Sequence, residues 1–179
     1  MKTQVTIKRL IAFAYLFLMS TGIIYSQDTT AFKRTVGLGA SIQSSEFGIT
    51  IPIWITKNFV LAPAIGLAYV ETVGSDVAFG LMPKYYFKTD KFAPFIDIKF
   101  AAIMNYPSKD NTIDDEKELD YLGGIGFGAE YFLSPHFSFG VEAQANMTIS
   151  DKDSDRYGNP DGVNMNLATA VIANIYFGR

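Results

Sequence analysis

Three groups of residues in the chain have types and spacings that could do chemistry. The first is a set of charges at alternate positions of otherwise apolar stretches: Lys84, Asp97, Lys99, Asp120, Glu130 and Glu142. Carboxylates and ammonium groups on one face of a sheet can gate ions or pass protons, or can simply pair and fill a core. The second is His136, the sole histidine, between Ser134 and Ser138. A hydrolytic triad needs its base oriented beside the nucleophile at the level of the substrate, and a short turn does not provide that. No enzyme activity is expected, and His136 reads as a turn residue. The third is the run of Asp151, Asp153 and Asp155, which opens like a calcium loop. Arg156 and Gly162 stand where such a loop needs Gly and Glu, so the run reads as a solvated acidic loop and only a weak calcium candidate. No cofactor and no metal are expected, and the absence of Cys excludes disulfides, thiolate metal sites and a cysteine nucleophile.

What must position these groups is a series of strands. In 123–144 one face collects Ile125, Phe127, Ala129, Tyr131, Phe137, Phe139, Val141 and Ala143. The other collects Gly124, Gly126, Gly128, Glu130, Gly140, Glu142 and Gln144. Period-two alternation on both sides of a four-residue turn, 133–136, predicts a hairpin. The same alternation recurs over 35–43, 47–55, 59–69, 77–87, 92–102, 119–132, 137 to about 149, and 166–177. Turns or loops at 44–46, 56–58, 71–76, 88–91, 105–118 and 150–162 separate the segments. Pro52, Pro63, Pro83 and Pro94 are expected near strand ends or bulges, because a proline removes a ladder donor. A chain of 179 residues, with 15 Phe, 10 Tyr and 15 Gly, is one domain rich in strand and turn formers.

The charges choose one side. The face carrying Ile98, Phe100 and Val141 holds no Lys, Arg, Asp, Glu or His in any of the eight segments, while the glycine-rich face holds all six charges named above. A soluble lipocalin-like ligand-binding barrel would have the opposite polarity, wet outside and apolar within. Charge confined to the smaller face predicts lipid outside and a polar interior: an all-β, closed, antiparallel, up-and-down transmembrane barrel of eight strands. A bilayer core offers no water to backbone amides, so only a closed sheet can cross it. Inside, Lys84, Asp97, Lys99, Glu130 and Glu142 are expected to form an ion-pair network, because one buried charge left unpaired costs about 3–5 kcal/mol. Structural filling is the plainer role for it, and a gate is the functional one. Aromatics flank the short turns at Phe59, Phe87, Phe92, Phe132 and Phe137, which predicts an aromatic belt at that interface.

The N-terminus reads as a targeting segment. Lys2, Lys8 and Arg9 precede an apolar run from Leu10 to Met19, and cleavage is expected after Ser26. The alternative, an uncleaved anchor helix, calls for an uninterrupted apolar run nearer ~20 residues. The predicted layout is a removed signal peptide at 1–26, a polar lead at 27–34 and the barrel at 35–179. The leader carries three bases and no acid, so its removal takes the formal charge from −3 to −6. An acidic exported chain is a poor binder of nucleic acid.

The stretch Gly124-x-Gly126-x-Gly128-x-Glu130-Tyr131-Phe132, its turn, and Phe137-Ser138-Phe139-Gly140-Val141-Glu142 resembles the small eight-stranded outer-membrane barrels of the OmpA/OmpX type. The resemblance covers about 35–179 and rests on pattern. It implies a monomer in the outer membrane of a Gram-negative bacterium, surrounded by lipid and lipopolysaccharide. It also implies insertion by the barrel-assembly machinery, which would read the last strand through Val171, Ile175 and Phe177. Most relatives of this type end on the aromatic, whereas Gly178 and Arg179 follow here, and the peptidoglycan-binding domain of the OmpA prototype is not expected. The role implied is structural or interactive, with acidic loops shown to a surface partner, and a narrow pore for ions or small solutes is the alternative.

Overall fold

A computed structural model describes residues 33–44, 46–70, 74–107, 118–152, 154 and 160–178. All of them belong to one compact unit, Phe32–Arg179. The leader, its cleavage site and the stretch from 27 to 32 lie outside the described residues.

Eight strands follow one another: β1 (Arg34–Gln43), β2 in two pieces (Glu46–Thr50 and Ile53–Trp54), β3 (Phe59–Val70), β4 (Gly74–Tyr86), β5 (Phe92–Pro107), β6 (Glu118–Ser134), β7 (Phe137–Ile149) and β8 (Val163–Gly178). Each pairs antiparallel with the next, and β8 returns to pair with β1, so the sheet closes. The alternation read from the sequence is the alternation of burial, most regularly along β7. Phe100, Phe127 and Phe139 are outward and exposed, whereas Asp97, Glu130 and Glu142 are 0–2 % exposed inside. Every charged strand residue with a described side chain, apart from Arg34, has the inward parity.

The prolines explain the interruption in β2. Its register sets Thr50 against Ala64 and Ile53 against Leu61, which leaves Ile51 and Pro52 facing Pro63 and Ala62. Ile51 N–H donates to the Pro63 carbonyl (2.9 Å) and Gly37 N–H to the Pro52 carbonyl (2.8 Å). Neither proline can donate in return, so the ladder skips a step. Pro94 lies near the start of β5, and the β4–β5 pairing skips Met82 and Pro83. Pro63 departs from expectation: it sits well inside β3, and the missing bond is accommodated by the gap in the neighbouring strand.

Strands also run further than the alternation suggested. Asp76 and Asn105, assigned above to loops, belong to β4 and β5, where Asn105 Nδ2 donates to Asp76 Oδ1 (2.9 Å). β8 begins at Val163 rather than 166, and β1 at Arg34. Two register shifts, at Arg34/Val36 against β8 and at Phe132/Ser134 against β7, lie at the short-turn end.

Candidate functional site: the polar lumen

The lumen is built in rows across β5, β6 and β7. Register places Lys99–Gly124–Asn146, Asp97–Gly126–Gln144, Phe95–Gly128–Glu142 and Ala93–Glu130–Gly140 side by side. Three glycines of β6 thus form a trench between longer side chains. A methyl at Gly126 would stand 2.5 Å from both Asp97 Oδ1 and Glu142 Oε1, which shows how closely the two carboxylates lean over that residue.

Nearest the short turns, Glu130 is the centre of a knot. Its Oε1 accepts from Lys84 Nζ (3.3 Å) and the Tyr86 hydroxyl (2.7 Å), and its Oε2 from the hydroxyls of Ser138 (2.7 Å) and Tyr176 (2.9 Å). Asn174 Nδ2 donates to Ser138 Oγ (3.4 Å). A carboxylate with four donors around its two oxygens has no lone pair free for base chemistry and acts as a structural acceptor. Trp54 stacks on Tyr86 with centroids 5.0 Å apart, and Phe95 and Phe132 pack edgewise or tilted against Tyr86 and Tyr176. Lys84 Nζ also stands 3.9 Å from the Phe95 ring centre. Below the rings, the Arg34 guanidinium lies 3.8 Å from the Phe132 centroid while its Nε donates to the Pro135 carbonyl (3.3 Å).

One level up, Lys99 Nζ donates to Glu142 Oε1 and lies 3.6 Å from Asp97 Oδ1. The structure therefore brings all five residues of the expected network together, as two groups: Lys84 with Glu130, and Lys99 with Asp97 and Glu142. Above Lys99 the lumen opens into a cavity of about 160 Å³, lined among others by Gln43, Glu46, Asp76, Gln144, Asn146 and Asn166. A smaller cavity of about 50 Å³ lies toward the knot, and Ser41, Lys99 and Gln144 border both.

The other candidate residues are placed as follows. Phe87 and Phe137 are exposed and Phe59 and Phe92 half-buried, all at the short-turn end. Phe132 does not belong to the belt: it shares the parity of Glu130 and is 5 % exposed inside the lumen, against Arg34. Flanking a turn was the wrong criterion there, because alternation, not nearness to the turn, decides which way a ring points. Val171, Ile175 and Phe177 are outward and exposed on β8. Asp153 and Asp155 lie outside the described residues. Asp151 N–H and Ser154 Oγ both donate to the buried Asp120 carboxylate (2.9 and 3.1 Å), which pins the start of the β7–β8 loop. Among the described residues no three His, Cys, Asp or Glu gather as metal ligands would. His136 N–H donates to Ser134 Oγ (3.2 Å), its Nδ1 lies 3.1 Å from the Tyr176 carbonyl, and the Ser138 hydroxyl is engaged by Glu130.

Sequence reasoning missed Tyr86, Ser138 and Tyr176 as partners of Glu130, and Asn174 as a partner of Ser138, although each has inward parity at the same end. Arg34 was not legible at all. Parity sends it outward, and the register shift beside it turns it in.

No protein-family model and no curated protein matches the sequence. Among solved structures, the N-terminal β-barrel domain of Pseudomonas aeruginosa OprF is similar over 79 % of this chain and 95 % of that one, with 14 % identity and a TM-score of 0.57. Neisserial surface protein A (NspA) is similar over 79 % and 93 %, with 12 % identity and a TM-score of 0.55. The chain has the fold of these small eight-stranded barrels, as the alternation of its strands implied.

Proposed function

We propose that the chain is an integral outer-membrane protein with a side-chain-filled lumen, whose role is structural or lies in presenting its loops at the cell surface. One observation carries the membrane reading: the outside of a closed sheet is covered with exposed large apolar side chains, including Leu38, Phe79, Ile98, Phe127 and Val141, while the charges of the strands lie within. In water such a surface would aggregate, and in a bilayer it is what an outward face requires. The likeness in fold to OprF and NspA supports the same reading. On it, the short turns and both chain ends face the periplasm, the longer loops face outward, and β8 with Val171, Ile175 and Phe177 carries the assembly signal. Lipid and lipopolysaccharide surround a monomer, and no enzyme chemistry is assigned.

The rings of Trp54, Tyr86, Phe95, Phe132 and Tyr176 across the lumen support filling rather than conduction. A second reading, a narrow pore, draws on the two cavities that meet at Lys99. Membrane fractionation with heat-dependent gel mobility tests the barrel, because a folded barrel resists SDS until boiled. Recovery in the soluble periplasmic fraction would overturn it. Planar-bilayer recordings of the wild type and Lys84→Ala then divide the roles: silence from both supports the structural one, and steady unitary currents from the wild type support the pore.

A further inference from the structure

Outside the lumen, charge is divided between the two ends of the barrel. The loops at 44–46, 71–76, 105–118 and 150–162 carry twelve carboxylates and four cations. The opposite end, made by 33–34 and the turns at 56–58, 88–91 and 133–136, carries Lys33, Arg34, Lys57, Lys88 and Lys91 against Asp90 alone. Arg34 is turned in under the rings, and Lys33 and Lys57 are exposed.

Lys88 and Lys91 differ from these in what they stand against. The Lys91 ammonium lies 5.3 Å from the centre of the Tyr131 ring, and that of Lys88 lies 6.0 Å from the Phe92 ring. Register sets Phe92 beside Tyr131 and Tyr131 beside Phe139, so the three rings form one row on the outward face. The turn that carries the lysines is held on both sides. Phe87 N–H donates to the Pro94 carbonyl (3.0 Å), and Phe132 N–H donates to the Lys91 carbonyl (2.8 Å). Among the described residues no carboxylate lies within ion-pair distance of either ammonium, the ion pairs being those of Lys84 and Lys99. Asp90 is adjacent in sequence, but it is exposed and pairs with neither. A ring face holds a cation only modestly, and a phosphate oxygen holds it better.

We propose that Lys88 and Lys91, with the outward row Phe92, Tyr131 and Phe139, bind an anionic phospholipid in the leaflet at the short-turn end. Its phosphodiester sits between the two ammonium groups, and its acyl chains run along the rings. This rests on the outer-membrane reading and names a ligand for the short-turn rim. Two observations select the occupant. The cations and the rings are contiguous, so the ligand joins an anion to hydrocarbon; a free phosphate or an acidic peptide would use the lysines alone. Both ammonium groups lack a carboxylate partner, so a headgroup with net negative charge fits better than a zwitterionic one, whose own ammonium they would repel. The acid-rich loops at the other end repel such a headgroup, which confines the preference to one leaflet.

The test uses the full protein in phosphatidylcholine nanodiscs holding a minor share of lipid with a nitroxide near its headgroup. One sample carries the label on phosphatidylglycerol and the other on phosphatidylcholine. Heat-dependent mobility of the same preparation establishes the folded barrel independently, so a folded barrel without the preference sinks this proposal alone. Labelled phosphatidylglycerol should broaden the amides of 88–91 and Tyr131 more strongly, reflecting association tighter by about tenfold or more, since each lysine near the surface contributes roughly fivefold. Raising the salt concentration should reduce the preference. Lys88→Gln with Lys91→Gln should abolish it, Lys88→Arg with Lys91→Arg should retain it, and Lys57→Gln should leave it unchanged at these amides. Equal broadening by the two labelled lipids would overturn the proposal, as would a preference that survives the double glutamine variant. Displacement of the labelled lipid by inorganic phosphate or by a soluble polyglutamate peptide would overturn it too, because the lysines would then take the anion without the membrane.

Discussion

The two ends of the lumen are made from the same alternation and behave differently. Toward the short turns, large rings and one carboxylate with four donors close the cross-section. Toward the loops, amides and carboxylates border a cavity, and among the described residues β8 is paired only with β7 beyond Val171. Glycines are inward at both levels, so glycine content does not separate them. The difference lies in what stands opposite the glycines: Phe95 beside Gly128 below, Lys99 and Asn146 beside Gly124 above. A buried polar group is stable when its partners are supplied, and at the lower end the wall supplies four donors to Glu130. The upper end leaves polar groups facing a cavity.

This contrast can be broken most forcefully at Glu130. Glu130→Ala removes the acceptor of Lys84, Tyr86, Ser138 and Tyr176 at once and should cost about 3–5 kcal/mol, read as a lower denaturant midpoint of the refolded protein in detergent. A loss under about 1 kcal/mol would show that the knot holds little of the fold together. On the outside, Val141→Arg or Ile98→Arg at mid-band should cost about 2–4 kcal/mol, and Leu167→Arg near the outer rim only about 0–1 kcal/mol. Equal effects at the two heights, or a harmless Arg at both mid-band sites, would contradict the assignment of faces. The mildest test compares neighbouring glycines. Gly126→Ala presses a methyl against Asp97 and Glu142 and should cost about 1–3 kcal/mol. Gly123→Ala points outward, meets nothing within 4 Å, and should be neutral or slightly stabilising.

Much of the fold was legible because period-two alternation is a local property. Strand count, the face of each strand and the inward set Lys84, Asp97, Lys99, Glu130 and Glu142 all follow from parity once the charges reveal which side is enclosed. Pairing partners are not local. Tyr86 and Tyr176 meet over Glu130 only because β8 closes onto β1, and Phe132, beside a turn, points inward because its parity decides. Strand ends were under-read where inward residues are polar, as at Asp76 and Asn105, since alternation then carries no hydrophobic signal.

The sequence by itself determined that this is an eight-stranded sheet with an oil-compatible face and a charged one, because each side chain's face is set by its position modulo two. Only the tertiary structure decided who meets whom: the register across the closing seam, the bulge that swings Arg34 under the aromatic rings, and the short first hairpin, which follows β8 only as far as Val171. These depend on the relative slide of strands distant in sequence, which the alternation of any one strand does not encode.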